Sequence, residues 1–235
     1  VIDLMKTVSS PLLRWPGGNF IRDYEWQQGL LPLDRRPPIL STWRSTLPFS
    51  HSYDFNEIGT DEFIELCRYL HAEPNIAINL NPKTGPAGLL GLAGGAPPRG
   101  QITPGEPAPP ADAAAWVEYC NGDLNTHWGK TRAARGHKEP YRVKYWCIGN
   151  EVFGEWMGPT HSDVSTYAQR VAAYAAAMKK VDPSIILIAS GQSVIAPDEG
   201  ARWDDTLLTQ AGMHFELLSQ HHYAPAVSWA AGPES

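Results

Sequence analysis

The chain has little cysteine, little charge and no long apolar run, and each shortage excludes something. Three cysteines (Cys67, Cys120, Cys147) in 235 residues make an odd count without a CxxC spacing. A disulfide framework and a structural zinc site are therefore disfavoured, and a reducing compartment is favoured. Lysine and arginine number 19 against 25 aspartates and glutamates, a net charge of −6. That balance argues against nucleic acid or an anionic membrane as partner. No apolar stretch approaches the roughly 18 residues of a membrane-spanning helix, and no secretory leader is visible in a chain that starts at Val1. Neither GxGxxG nor GxxxxGK[ST] occurs, so no nucleotide-binding turn is marked.

Glycine and proline are plentiful at 21 each, and there are nine tryptophans. Fifteen of those 42 glycines and prolines fall between Pro82 and Ala111, in PKTGPAGLLGLAGGAPPRGQITPGEPAPPA. The stretch has neither helical nor strand period and reads as a long loop inserted into one domain spanning residues 1–235. On both sides the pattern alternates. LLRW (Leu12 to Trp15), NIAINL (Asn75 to Leu80), VKYWCI (Val143 to Ile148), IILIA (Ile185 to Ala189) and FELLSQH (Phe215 to His221) read as buried strands. Between them, helices are predicted over Thr60–Ala72, with Thr60 as cap, over Ala111–Asn121 and Asp163–Val181, and within Arg202–Ala211. Alternation of this kind implies βαβ units and a parallel sheet. Polar clusters follow the strands (PGGN, NLNP, GNE, SGQ, HHY), which suits the C-terminal rim of a (β/α)₈ barrel, where such folds carry their active sites.

KYWCIGNE is the sharpest constellation. A strong apolar strand delivers Asn150 and Glu151 to a water-poor rim, where desolvation raises a carboxyl pKa towards that of a general acid. The competing reading is a buried glutamate paired with Arg14 to fix the barrel. His221 and His222 point to opposite faces of a strand and so cannot readily share a metal; one of them faces the site. Tyr223, next to them, is a substrate-facing candidate. Trp26, Trp43 and Trp156 follow presumed strands, where indoles can stack on sugar rings or anchor the core. The cysteines pack as small apolar residues.

LRWPGGNF, YEWQQGLLPLDRRP, NEIGTDEFIELCRYLHAEPNIAINL, WVEYCNG, GHKEPYRVKYWCIGNEVFGEWMG, MKKVDPSI and SQHHY together resemble α-L-arabinofuranosidases of glycoside hydrolase family 51, in the family's order from Leu12 to Tyr223. The resemblance implies a (β/α)₈ TIM barrel, here incomplete, with about six of its eight βα units and one strand between Thr42 and Asn56. It implies a retaining glycosidase acting on arabinose-containing oligo- or polysaccharides with no metal or organic cofactor. Glu151 matches the acid/base, and Asn150 and Asn56 match sugar-binding asparagines. Tyr223 matches the tyrosine beside the nucleophile, while Arg14, Trp26 and Trp156 are further substrate-site candidates. The family's nucleophile belongs on a seventh strand, and no residue here matches it. The fragment alone is therefore expected to be inactive. A cytoplasmic location and a homo-oligomeric full-length form are further expectations. Rival readings are a related β-xylosidase or endoglucanase, and a non-catalytic carbohydrate-binding barrel.

Overall fold

In a computed structural model, the described residues are 2–41, 52–80, 110–154, 162–192 and 197–221. The Pro82–Ala111 insertion lies almost wholly outside them, as do Trp43, Trp156, His222 and Tyr223.

A short helix α1 (Ile2–Val8) leads into β1 (Leu12–Trp15). There follow a hairpin of β2 (Ile39–Ser41) and β3 (Ser52–Asp54), helix α2 (Thr60–Leu70) and β4 (Glu73–Ile78). Helices α3 (Pro110–Asn121) and α4 (His127–Ala134) precede β5 (Tyr145–Ile148). The remainder is α5 (Val164–Val181), β6 (Ile186–Ser190), α6 (Pro197–Ala211) and β7 (Leu217–Ser219). Among the described residues five strands form one parallel sheet in the order β1-β4-β5-β6-β7. The architecture is that of a partial (β/α) barrel. Of the strand expected between Thr42 and Asn56, residues 42–51 lie outside the described residues. β1 pairs directly with β4, while β2 and β3 pair antiparallel with each other. Among the described residues no helix is long and apolar enough to cross a membrane.

The pleat sorts side chains into two sets. One row across the sheet is Arg14, Asn75, Tyr145 and Ile186, and the next on that face is Ala77, Cys147, Ile188 and Leu217. This is the barrel's inner side, where Ile21, Ala77, Cys147 and Ile188 make a small cluster with Tyr145 against it. The outer side packs on the helices in a far larger core. Ile76, Ile78, Trp146, Ile148 and Leu187 meet Phe63, Ile64, Trp116, Val117, Tyr167, Val171 and Met178. Trp15 stacks on Phe63 at 5.1 Å and Trp26 on Trp116 at 5.6 Å between ring centroids. All three cysteines are buried and free, and burial pushes the Cys67 thiol up to about 12.

Local chemistry sets the helix starts. The cap of α2 is Gly59, not Thr60, and the Glu62 carboxylate accepts from the Gly59 N–H at 2.8 Å. A side chain at Gly59 would bring its Cβ to 2.3 Å from the Gly29 carbonyl oxygen, so the loop crossing there requires glycine. Asp163 caps α5 by accepting from the Thr166 N–H at 3.0 Å, and α5 stops at Asp182, ahead of Pro183. Helix α4 buries an arginine. Arg132 is 0% exposed and donates to the carbonyls of Tyr119, Gly122, His137 and Lys138.

A buried carboxylate ties α2 to α3 and α4. Asp61 accepts from the hydroxyls of Tyr119 and Tyr141, both at 2.7 Å, and from Arg135 Nε at 2.8 Å. Burial first, and then the Asp61 charge, hold both tyrosines above their ordinary pKa, so they remain donors.

Candidate active site

β5 delivers the first two functional groups. Its apolar run ends at Gly149 (φ +81°), and Glu151 also has positive φ (+42°). The chain turns sharply here, and a non-glycine residue in that region carries a strain of about 1–3 kcal/mol. Glu151 is held there because its neighbours pack: Val152 is fully buried, and Leu80 Cδ1 lies 2.7 Å from where a Gly149 Cβ would stand. We expect Gly149→Ala to lower stability by about 1–2 kcal/mol, the penalty of a Cβ at positive φ, and to lower activity along with it. Unfolding and activity measured on the same preparation check this. An unchanged midpoint would mean that the turn relaxes.

Asn150 is buried, with one partner at each end of its amide. Its Oδ1 accepts from Arg14 Nη2 at 2.9 Å, and its Nδ2 donates to Asn19 Oδ1 at 2.9 Å. Arg14 is in β1 and Asn19 is in PGGN just beyond it, so the first and third strands of the parallel sheet fix this amide together. Arg14 thus serves as an orienting group for Asn150, and its Nε is buried without a partner.

Glu151 is 5% exposed, and its Oε1 lies 2.6 Å from Nδ1 of His221. At that distance one proton is shared. Either the imidazole N–H donates to the carboxylate, or the protonated carboxyl donates to the bare ring nitrogen. A group that must give and later take a proton is served by a partner that accommodates both forms. His221 faces the acid, and His222 lies outside the described residues.

Asn56 sits after β3 at φ +55° and is 1% exposed. Its backbone N–H donates to Asp54 Oδ1 at 2.7 Å, yet neither its amide nitrogen nor its amide oxygen has a partner. A buried amide left unpaired costs about 1–3 kcal/mol, so its retention needs an explanation. Being covered, it meets a ligand only where the covering atoms give way.

Trp26 corrects an expectation. The indole is 3% exposed, stacked on Trp116, tilted against Trp128, and donates from Nε1 to Asp112 at 3.3 Å. It has no free face for a sugar and anchors the loop to the start of α3. Trp156 and Tyr223 lie outside the described residues. Asn19 and His221 were open to sequence reasoning, since both stand in the polar clusters after strands, but only the fold shows which groups they hold. Among the described residues no cluster of three or more His, Cys, Asp or Glu is arranged to hold a metal. A cavity of about 370 Å³ lined by Asn121, Arg142, Lys144 and Asp182 lies at the opposite end of the sheet, before β5 and β6 begin.

A parallel sheet that gathers an arginine, an Asn-Glu pair and a histidine at the ends of its strands has the layout of a barrel enzyme. The chain belongs to the family of the α-L-arabinofuranosidase 1 domain, which matches residues 4–231, and among glycoside hydrolases to family 51. It is 36% identical over 206 residues to "Probable alpha-L-arabinofuranosidase C" of Aspergillus flavus, covering 87% of this chain and 33% of that protein. To "Intracellular exo-alpha-(1->5)-L-arabinofuranosidase 1" of Bacillus subtilis it is 33% identical, covering 95% of this chain and 38% of that protein. The arabinose-complex structure of the Thermotoga maritima α-L-arabinofuranosidase superposes with a TM-score of 0.72 at 36% identity, over 94% of this chain and 38% of that one. The chain thus spans little more than a third of the length of these relatives.

Proposed function

We propose that this chain is the larger part of the catalytic barrel of a retaining, exo-acting α-L-arabinofuranosidase that releases arabinose from arabinan, arabinoxylan or their oligosaccharides. The observation that carries the proposal is the Glu151 carboxyl, buried at the rim behind an oriented Asn150 and within 2.6 Å of His221. Relatives named as arabinofuranosidases support the substrate class.

Retention needs a second carboxylate about 5–5.5 Å from the first. We assign it to the portion of the enzyme that the relatives possess beyond the matched third. That carboxylate attacks the anomeric carbon as the glycosidic bond breaks, and the leaving oxygen takes the Glu151 proton. A water then gives a proton back to Glu151, and its oxygen displaces the carboxylate from the sugar. Asn150, held by Arg14 and Asn19, offers its amide to a sugar hydroxyl, and Asn56 offers its unpaired amide to another. Tyr223 completes the sugar site on the family's pattern, and Trp156 supplies an indole face for a sugar ring. The reaction needs no metal or organic cofactor. We place the enzyme in the cytoplasm because bacterial relatives are named intracellular, and we assign it a homo-oligomeric full-length form.

The test is product analysis with the complete enzyme on arabinan, xylan and β-glucan, with anomeric configuration followed by NMR. Arabinose released with retained configuration from arabinan is the expected result. Xylose or glucan oligomers as the main product would move the chain to a sister activity, and sugar binding without turnover would make it a binding barrel.

A further inference from the structure

We propose that Arg36 is the positioning residue for Asn56, holding that residue in its left-handed turn with the amide free for a sugar hydroxyl. The proposal rests on the sugar-binding role given to Asn56 above.

Arg36 is one of the few buried charges among the described residues, its side chain 2% exposed. Its guanidinium is spent on one loop crossing. Nε donates to the Leu31 carbonyl at 2.9 Å, and Nη1 donates to the carbonyls of Asn56 and Glu57, each at 3.1 Å. Nη2 meets Glu62 Oε1 at 2.6 Å, and the other oxygen of Glu62 accepts from the Gly59 N–H at 2.8 Å. The start of α2 therefore braces the arginine, which in turn grips the residue bearing the unpaired amide. Burial opposes ionisation of Glu62, but the hydrogen bond and charge of Arg36 and the Gly59 N–H outweigh it, so its pKa is lowered.

Asn56 is thus held at both ends of its own backbone. Asp54 takes its N–H and Arg36 takes its carbonyl. An asparagine in a turn commonly spends its side chain on nearby backbone. Here an aspartate side chain and an arginine do that work, and the Asn56 amide keeps both its donor and its acceptor free. Only a planar guanidinium can reach three carbonyls and a carboxylate at once. Lysine, with three donors on a point-like head, cannot reproduce the fork.

A double-mutant cycle in the complete enzyme, read on an aryl α-L-arabinofuranoside, separates positioning from mere bracing of the fold. Asn56→Ala is expected to lower kcat/KM by about tenfold or more, the loss of a hydrogen-bonded sugar contact. Arg36→Lys is expected to cost about as much, through a raised KM with kcat little changed. In the Asn56→Ala background Arg36→Lys is expected to add no more than about a twofold loss, because both act through one amide. Losses that multiply, or Arg36→Lys at wild-type kcat/KM, would overturn the proposal. Full activity in Asn56→Ala alone is a different failure: it removes the sugar-binding role of Asn56, and the proposal with it. If Arg36→Lys does not fold, Glu62→Gln, which weakens the brace, is carried through the same cycle. It should give the same non-additive pattern at smaller amplitude, and multiplying losses there would overturn the proposal equally.

Discussion

Replacing Glu151 with alanine in the complete enzyme lowers kcat/KM on natural arabino-oligosaccharides by about 10²–10⁴-fold, the usual contribution of a positioned general acid–base group. The loss depends on the leaving group. An alcohol leaving group needs the proton during departure and feels the full effect. A nitrophenolate departs unaided, so on that substrate the first step survives and release of the arabinosyl-enzyme becomes limiting. KM should then fall along with kcat, as the covalent intermediate accumulates. Azide needs no base to activate it, so it should restore turnover and yield an arabinosyl azide of retained configuration. Equal losses on both substrates with no azide rescue would mean that Glu151 is structural. The close contact with His221 would then be an ordinary buried pair.

Asp61→Ala is the change expected to cost the fold most. It removes the acceptor of two buried tyrosine hydroxyls and of the Arg135 guanidinium at one stroke. Removing one partner of a buried ionic cluster typically costs about 3–5 kcal/mol, because the groups left behind have lost their solvation as well as their bond. Partial exposure of Arg135, at 24%, lets water recover some of this, so a value near the lower end is expected. Asp61→Asn keeps the shape and one acceptor and should cost less. Denaturant unfolding followed by tryptophan fluorescence reads both, since Trp116 and Trp26 lie in the core these helices form. A loss below about 1 kcal/mol for the alanine variant would show that the tyrosines find other acceptors.

Most of the fold could be read from the sequence, because its three central strands are buried on both faces and so spell short apolar runs. VKYWCI and IILIA each sit within a residue or two of the observed strands. Helix α4 escaped, for a physical reason. Its buried positions are Gly129 and Arg132, so it has no apolar stripe, and a search for hydrophobic period passes over HWGKTRAA. The hairpin escaped too, since three-residue strands stabilised by each other leave almost no pattern. At the site, the placement of Asn150 and Glu151 just past a strand end was legible because an apolar run leads into them. Trp26 was misjudged, since an indole packed on Trp116 and one awaiting a sugar have the same letter. Arg36 was invisible within DRRP, where nothing local distinguishes a solvated arginine from a buried one that grips carbonyls 20 residues away.

The two faces of the sheet differ in how far they can change. Outside, large aromatics interlock, and almost any exchange leaves a hole or a clash. Inside, the row of Ala77, Cys147, Ile188 and Leu217 is built of modest side chains around a small cluster, and it runs beneath the rim that holds Glu151. Substitutions there alter the floor of the candidate site while leaving the helical wall untouched. A laboratory library confined to those four positions should therefore shift substrate preference more readily than it lowers expression. Divergence among relatives of this chain has the same inexpensive route open to it.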